Sequence, residues 1–350
     1  MDDKETIKLF LEKGFQISKD ALPLVVSEPH FIIEEMNRLN PRPFIITQDH
    51  INKIKIKSEK LTISILKTYF FDKKQLKIDE FAKSYVIKYE KISKIIQENN
   101  NLERLISINK INPKTTEFSI IGIIRDKLQN QLLVEDMTGE IEIYFESKLK
   151  DKIIDIDSDD VLGLKCRRID SKFYLENIYY PDVRIDRNVN RLEKNINMLF
   201  LPDGFVNFEV IENMKIDFYF YFDKNELFES IKNNELMTKL VQQEIHQPTL
   251  ININNLKILF LPKIFYDKNQ IDLSSHEIEK LLKRRFILPK NNKLFNTDKS
   301  DFVLTDLPDI VITNIEPHIY KNYKGTSIIS VSDYKIYNVN LKSREVVLIE

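Results

Sequence analysis

Two groups of side chains in this chain could do chemistry. Lys280, Lys283, Arg284 and Arg285 cluster at the end of an expected helix. Such a cluster could contact a phosphate backbone through charge, or could complement the negative end of the helix dipole. The second group is Asp203, Asp301, Asp306, Asp309, Glu316 and His318, whose oxygen and imidazole donors suit a divalent ion. Asp203 follows Pro202 at a strand end, where an aspartate more often caps a turn, and His318 reads more simply as a surface or packing residue. His246 and His276 have no partner acid at a recognisable spacing, and His30 and His50 carry no catalytic signal. Cys166 is flanked by Lys165, Arg167 and Arg168, which could lower a thiol pKa. It falls in an expected barrel strand, where a buried structural thiol is the plainer reading.

The chain that must position these groups has 350 residues, room for two or three domains. Hydrophobic residues make up 42% and charged residues 31%, ordinary values for a globular protein. The net charge of −1 creates no global field toward nucleic acid, so any DNA contact must come from a local patch or a partner. The single cysteine excludes an internal disulfide and a multi-cysteine zinc site, and fits a reducing, cytoplasmic setting. No apolar run approaches the ~20 residues that span a bilayer, and Met1-Asp2-Asp3-Lys4-Glu5 is not a signal peptide, so no membrane contact is expected. Ile, Lys and Asn are abundant while Gly (6) and Trp (0) are scarce. This composition bias weakens any argument from a lysine-rich run.

The chain changes character several times. Residues 1–57 read as a small helical docking module. Ile7, Phe10 and Leu11 lie at helical spacing before Gly14, Ser18 is a candidate cap, Pro29 suits a first turn, and Thr47 caps a last short segment. Residues 58–112 hold a linker or strand near Leu61–Phe71, then a long helix over Ile78–Gln97 with a broad apolar face. From Thr115 the period becomes two. Phe118–Ile124, Gln131–Asp136, Glu140–Phe145, Val161–Arg168 and Phe173–Tyr179 form five short strands in about 70 residues, with Gly122 at a bend. That spacing predicts an OB-fold barrel over 113–186. Residues 187–350 alternate strands and helices, with strands expected at Asn197–Pro202 and Lys257–Leu261 and helices over Glu226–Gln243 and Ser275–Arg285. The fold class is therefore α+β and multidomain.

This order of parts resembles the small subunit of the archaeal D-family DNA polymerase. Five pieces carry the resemblance: Val86–Ile92 before the barrel; Val134-Glu135-Asp136-Met137-Thr138-Gly139; Tyr180-Pro181-Asp182-Val183 at the barrel exit; Leu281–Pro289, with Phe286 where the family has histidine; and Tyr323-Lys324-Gly325. The resemblance implies a calcineurin-like phosphoesterase domain whose family members hold two metals for 3′–5′ exonuclease chemistry. Such a site needs several His and Asp ligands. Where the family has Ser-Asp-x-His this chain reads Pro202-Asp203-Gly204-Phe205, and the two middle ligand motifs are missing. The strand expected to end in His-Gly reads Phe260-Leu261-Pro262-Lys263. The Pro308-Asp309-Ile310-Val311 strand leads to Ile312, Asn314, Ile315, Glu316 and Pro317 instead of a Gly-His-x-His turn.

Asp203, Phe205, Ile312, Ile315 and Pro317 thus stand at vestigial ligand positions. Phe, Ile and Pro bind no hard cation. The resemblance implies a reduced domain with degenerate metal motifs, no cofactor, and a scaffold role like that of the eukaryotic replicative B-subunits. It implies the large catalytic subunit as partner, DNA met through the complex, and other replication proteins met through residues 1–57. Two other readings stay open. One is a residual metal-dependent exonuclease of the same polymerase. The other is a free-standing single-strand-binding barrel, which Tyr144 and Phe145 serve poorly because adjacent strand residues point to opposite faces.

Overall fold

The computed structural model describes residues 3–26, 29–37, 39, 41–51, 62–70, 77–201, 214, 216–221, 226–230, 237–239, 247–268, 273–288, 299–315, 319–331 and 335–349. The chain divides into two compact units, Met1–Thr62 and Ile63–Glu350. In the first, helices α1 (Asp3–Glu12), α2 (Leu22–Val25) and α3 (Pro29–Asn37) surround a core of Phe10, Phe15, Ala21, Val25, Met36 and Ile46. Two very short strands, β1 (Gln16–Ile17) and β2 (Ile45–Ile46), pair in parallel, so the module is not purely helical. Gly14 ends α1 at φ +80°, a left-handed turn open to glycine. Helix α2 starts after Ala21, and no side chain caps it, so Ser18 is not its cap.

The second unit begins with strand β3 (Ile63–Thr68) and helix α4 (Ile78–Asn99). Glu80 Oε2 accepts the Lys77 N–H at 2.9 Å, satisfying a free donor at the N-terminus of α4. The barrel follows: β4 (Glu117–Lys127), β5 (Gln131–Asp136), β6 (Gly139–Tyr144), short helix α5 (Lys150–Ile153), β7 (Val161–Ile169) and β8 (Lys172–Tyr179). The strands close in the order β4-β5-β6-β8-β7, with β6 and β8 parallel and all other pairs antiparallel. This is the OB-fold arrangement that the period-two run predicts. Inward residues Ile120, Leu132, Val134, Ile143, Leu164, Cys166 and Leu175 fill it. At Gly122 a side chain would strike Val134 across the ladder, which is why only glycine fits that crossing.

Helix α4 lies on one side of the barrel. Its Ile92 and Ile96 pack with Ile121, Ile123 and Val161 on the outer surface of β4 and β7. Gly163 permits the approach, since a Cβ there would sit 3.1 Å from Ile96 Cγ2.

The rest is a layered α/β region. Its strands are β9 (Asn197–Leu201), β10 (Phe218–Tyr221), β11 (Glu226–Ser230), β12 (Met237–Lys239), β13 (Thr249–Ile253), β14 (Leu256–Leu261), β15 (Ile310–Thr313), β16 (Ile319–Tyr323), β17 (Thr326–Ser330), β18 (Tyr337–Asn340) and β19 (Val346–Leu348). Helices α6 (Lys263–Lys268) and α7 (Ser275–Arg284) sit between β14 and β15 in sequence. Among the described residues the strands form two sheets, β12-β11-β10-β9-β18-β19 and β16-β17-β15-β14-β13-β3. Phe220 of one sheet stacks on Phe260 of the other with centroids 5.1 Å apart.

The helix expected over Glu226–Gln243 is corrected by these sheets. Its described residues instead form β11 and β12, an antiparallel pair at a sheet edge. Partnering by β10 overrides a polar sequence with no strong alternation of its own. Among the described residues no helix is long and apolar enough to cross a membrane.

Candidate functional site

The first region to test is the carboxyl end of the parallel strands, where a phosphoesterase-like domain would gather metal ligands. Ile312 and Ile315 are buried apolar residues there. Thr313 Oγ1 donates to Leu261 O at 2.8 Å, Asn314 Oδ1 accepts the Lys263 N–H at 2.7 Å, and Ser330 Oγ donates to Ile315 O. The neutral polar groups at the ends of β14, β15 and β17 therefore serve one another and the first turn of α6. Asp203, Phe205, Glu316, Pro317 and His318 lie outside the described residues.

Asp309 is 1% exposed, but it stands at the other end of β15. Its carboxylate accepts Asn190 N and Nδ2, both at 3.1 Å, and Lys257 N at 3.0 Å. Four strand steps separate it from Thr313, about 13 Å at the usual rise. Asp306 pairs with Lys257 at 2.5 Å at that same far end. Among the described residues no group of three or more His, Cys, Asp or Glu is placed to hold a metal ion.

The second region is the basic cluster, and it has an acidic counterpart that the sequence reading missed. Helix α7 starts at the Ser274 cap, whose Oγ accepts the Glu277 N–H at 3.3 Å. It ends at Arg285 with φ +53°, held by backbone bonds to Leu281 and Leu282. Its basic end faces the barrel loop Ile154-Asp155-Ile156-Asp157-Ser158-Asp159-Asp160. Arg284, 7% exposed, ion-pairs with Asp157, reaches Asp160 at 3.4 Å and donates to Asp155 O at 2.6 Å.

The neighbours of Arg284 complete the joint. Lys280 lies 3.0 Å from Glu277 and 3.6 Å from Asp155, while Lys283 lies 3.9 Å from Asp155 and 4.0 Å over the Tyr180 ring. Arg285 is buried, and Leu304 O accepts from its Nη1 at 3.4 Å. Helix α4 grips the same loop: Tyr85 Oη donates to Asp159 Oδ2 at 3.0 Å and Lys88 Nζ donates to Asp159 O at 2.7 Å. Arg284 and Arg285 thus direct their donors into the chain, and only Lys280 and Lys283 keep partial exposure.

Electrostatics follow from burial. Asp160 is pushed up to about 6 by desolvation, against the pull of Arg284. Arg285 is pushed down to about 10 by desolvation and by Arg187. The Tyr180 hydroxyl is pushed up by desolvation and then by Asp160. Burial also raises the Cys166 thiol, and the Glu176 carboxylate adds to the rise.

The Tyr180–Val183 and Tyr323–Gly325 motifs adjoin the same joint, and the Asp136–Gly139 motif ties its own turn to Ile108. The Asp182 carboxylate of the barrel exit accepts Tyr323 Oη at 2.9 Å and Lys324 Nζ at 2.6 Å, so Tyr180–Val183 and Tyr323–Gly325 meet in space. Asn99 at the end of α4 donates to Pro181 O at 3.0 Å and Asp182 O at 2.8 Å. In the Asp136–Gly139 turn, Asp136 Oδ1 accepts Thr138 N at 2.7 Å, Thr138 Oγ1 at 2.6 Å and Gly139 N at 3.1 Å, and its Oδ2 accepts Ile108 N at 2.8 Å. The chemistry these residues perform is cohesion between helix, barrel and sheets. A density of aspartates at 155, 157, 159 and 160 opposite the bases at 280–285 was the signal available in the sequence.

Compared with known protein families and with curated proteins, the chain matches none. Solved structures similar to part of it include the telomere capping protein Ten1 from Saccharomyces pombe, at 22% identity over 21% of this chain and 77% of that one, TM-score 0.19. The OB domain of Ta0387 from Thermoplasma acidophilum aligns at 19% identity over 26% of this chain and 95% of that one, TM-score 0.18. At such scores the OB-fold rests on this chain's own strand order and closure.

Proposed function

We propose that the chain is the non-catalytic small subunit of a D-family replicative DNA polymerase, a scaffold that binds and stabilises the large catalytic subunit. One observation carries the reading: four of the five segments that resemble the family touch one another, through Asp182 with Tyr323 and Lys324, Lys283 over the Tyr180 ring, and Lys88 over the Phe286 ring. A part whose role is to hold others needs internal rigidity, and this joint supplies it. The strand ends, closed by Thr313, Asn314 and Ser330, support a scaffold over a nuclease. In this reading residues 1–57 dock further replication proteins, DNA is met through the complex, and Lys280 and Lys283 are the cluster's only bases placed to approach a phosphate.

Co-expression with a D-family large subunit tests the proposal. A single co-eluting species in gel filtration is the expected result, and two separate peaks would count against it. Incubation of the pure chain with Mn²⁺ and a 3′-labelled single strand separates the exonuclease reading, which requires digestion.

A further inference from the structure

The barrel has one covered and one bare outer face. Helix α4 and the joint occupy the side of β4 and β7 and reach Tyr179 at the end of β8, while Glu140 and Glu142 of β6 and Glu176 of β8 are exposed and Tyr144 and Tyr174 half-buried. On this face Tyr144 and Tyr174 stand opposite each other across the parallel β6–β8 pair, centroids 6.0 Å apart. Glu140 and Glu142 are exposed on the same side of β6, since residues 140, 142 and 144 alternate with the buried Ile141 and Ile143. Tyr144 Oη donates to Glu142 Oε2 at 3.3 Å.

The charges on this face are not balanced. Glu135 is neutralised by Arg125 at 2.9 Å and Glu176 by Arg167 at 3.3 Å. Glu140 and Glu142 have no basic partner among the described residues. Glu140 also sits directly across the ladder from Glu135, whose charge Arg125 already meets. An intramolecular cation already shows what the aromatic part accepts: Lys172 Nζ lies 4.5 Å over the Tyr144 ring.

We propose that this face docks a lysine- or arginine-rich segment of a protein partner. Guanidinium or ammonium groups would lie against Tyr144 and Tyr174 and be met by the Glu140 and Glu142 carboxylates, which join cation–π contact to a charge-assisted hydrogen bond. Single-stranded nucleic acid fits the face poorly. It needs a positive groove alongside its stacking rings, and here two carboxylates without a basic partner among the described residues, Glu140 and Glu142, stand beside a single such cation, Lys172. This assignment does not depend on the polymerase reading, because it rests on the barrel face alone.

The test uses the full chain, an end-labelled peptide of alternating Arg and Ser, and an oligothymidylate of similar length, with fluorescence anisotropy as the readout. The peptide is expected to bind, and more tightly than the oligonucleotide. The double variant Glu140→Gln, Glu142→Gln and, separately, Tyr144→Ala with Tyr174→Ala should each weaken peptide binding at least tenfold. Glu98→Gln, on the exposed face of α4, should leave it unchanged and controls for nonspecific attraction. Because the substituted side chains point outward, circular dichroism melts should match the parent. A melt that falls for the alanine pair leaves the glutamine pair, which keeps shape and hydrogen bonding, to decide. Absence of peptide binding, equal binding by every variant, or tighter tyrosine-dependent binding of the oligonucleotide would each overturn the proposal.

Discussion

The two sides of the barrel solve opposite problems. On the β4/β7 side, isoleucines of α4 and β4 interlock, and a buried arginine is met by two buried aspartates of one loop. On the β5/β6/β8 side, glutamates and tyrosines face outward with their charge incompletely matched. The difference teaches where the chain commits its ionic groups. Inside, each charge needs a fixed partner, because an unpaired buried ion is costly. Outside, water screens a mismatch cheaply, so a surface can keep one for a partner to relieve.

Breaking the covered side should be expensive. Arg284→Ala leaves Asp157 and Asp160 buried without their cation, and a loss of about 3–5 kcal/mol is expected in urea unfolding. Ile96→Ala opens space against Gly163 and Ile123, with about 3 kcal/mol expected by the same measurement. A result below 1 kcal/mol for either would mean that helix and barrel are not held as described.

A third experiment isolates Asp160. Its folded pKa of about 6 exceeds the ordinary 3.8, so the fold favours the protonated acid. The stabilising contribution is therefore complete below about pH 3.8 and is lost as pH rises through about 6. The shift corresponds to about 3 kcal/mol at most. Asp160→Asn should remove this fall, so the difference between variant and parent stability should change across pH 4 to 6 and be flat above 7. Parallel curves would show that Asp160 titrates normally. Smallest of all, Glu140→Gln on the bare side should shift stability by no more than about 0.5 kcal/mol, because Arg125 already meets the Glu135 charge across the ladder.

The barrel was readable in the sequence because its signals are local. Alternation in Glu140–Tyr144, a glycine at 122 and an aspartate turn at 136–139 each act on near neighbours. The pair β11–β12 was hidden because Glu226–Ser230 and Met237–Lys239 acquire their extended form from β10, not from their own pattern. The joint was hidden for a different reason. Arg284 and Asp157 are 127 positions apart, and a basic run at a helix end looks the same whether it faces phosphate, solvent or an acidic loop. Likewise the tyrosine pair came from Tyr144 and Tyr174 on neighbouring strands, whereas a sequence reading could compare only Tyr144 with Phe145.

Cys166 has a practical corollary. As the sole sulfhydryl of the chain, sealed within the barrel and reluctant to ionise, it should stay inert toward maleimides while the protein is folded. A cysteine introduced at an outward position, such as 142 or 98, would then take a fluorophore or spin label alone. Distances between such reporters could follow assembly without first deleting the native thiol, whose slow modification would itself time the opening of the barrel.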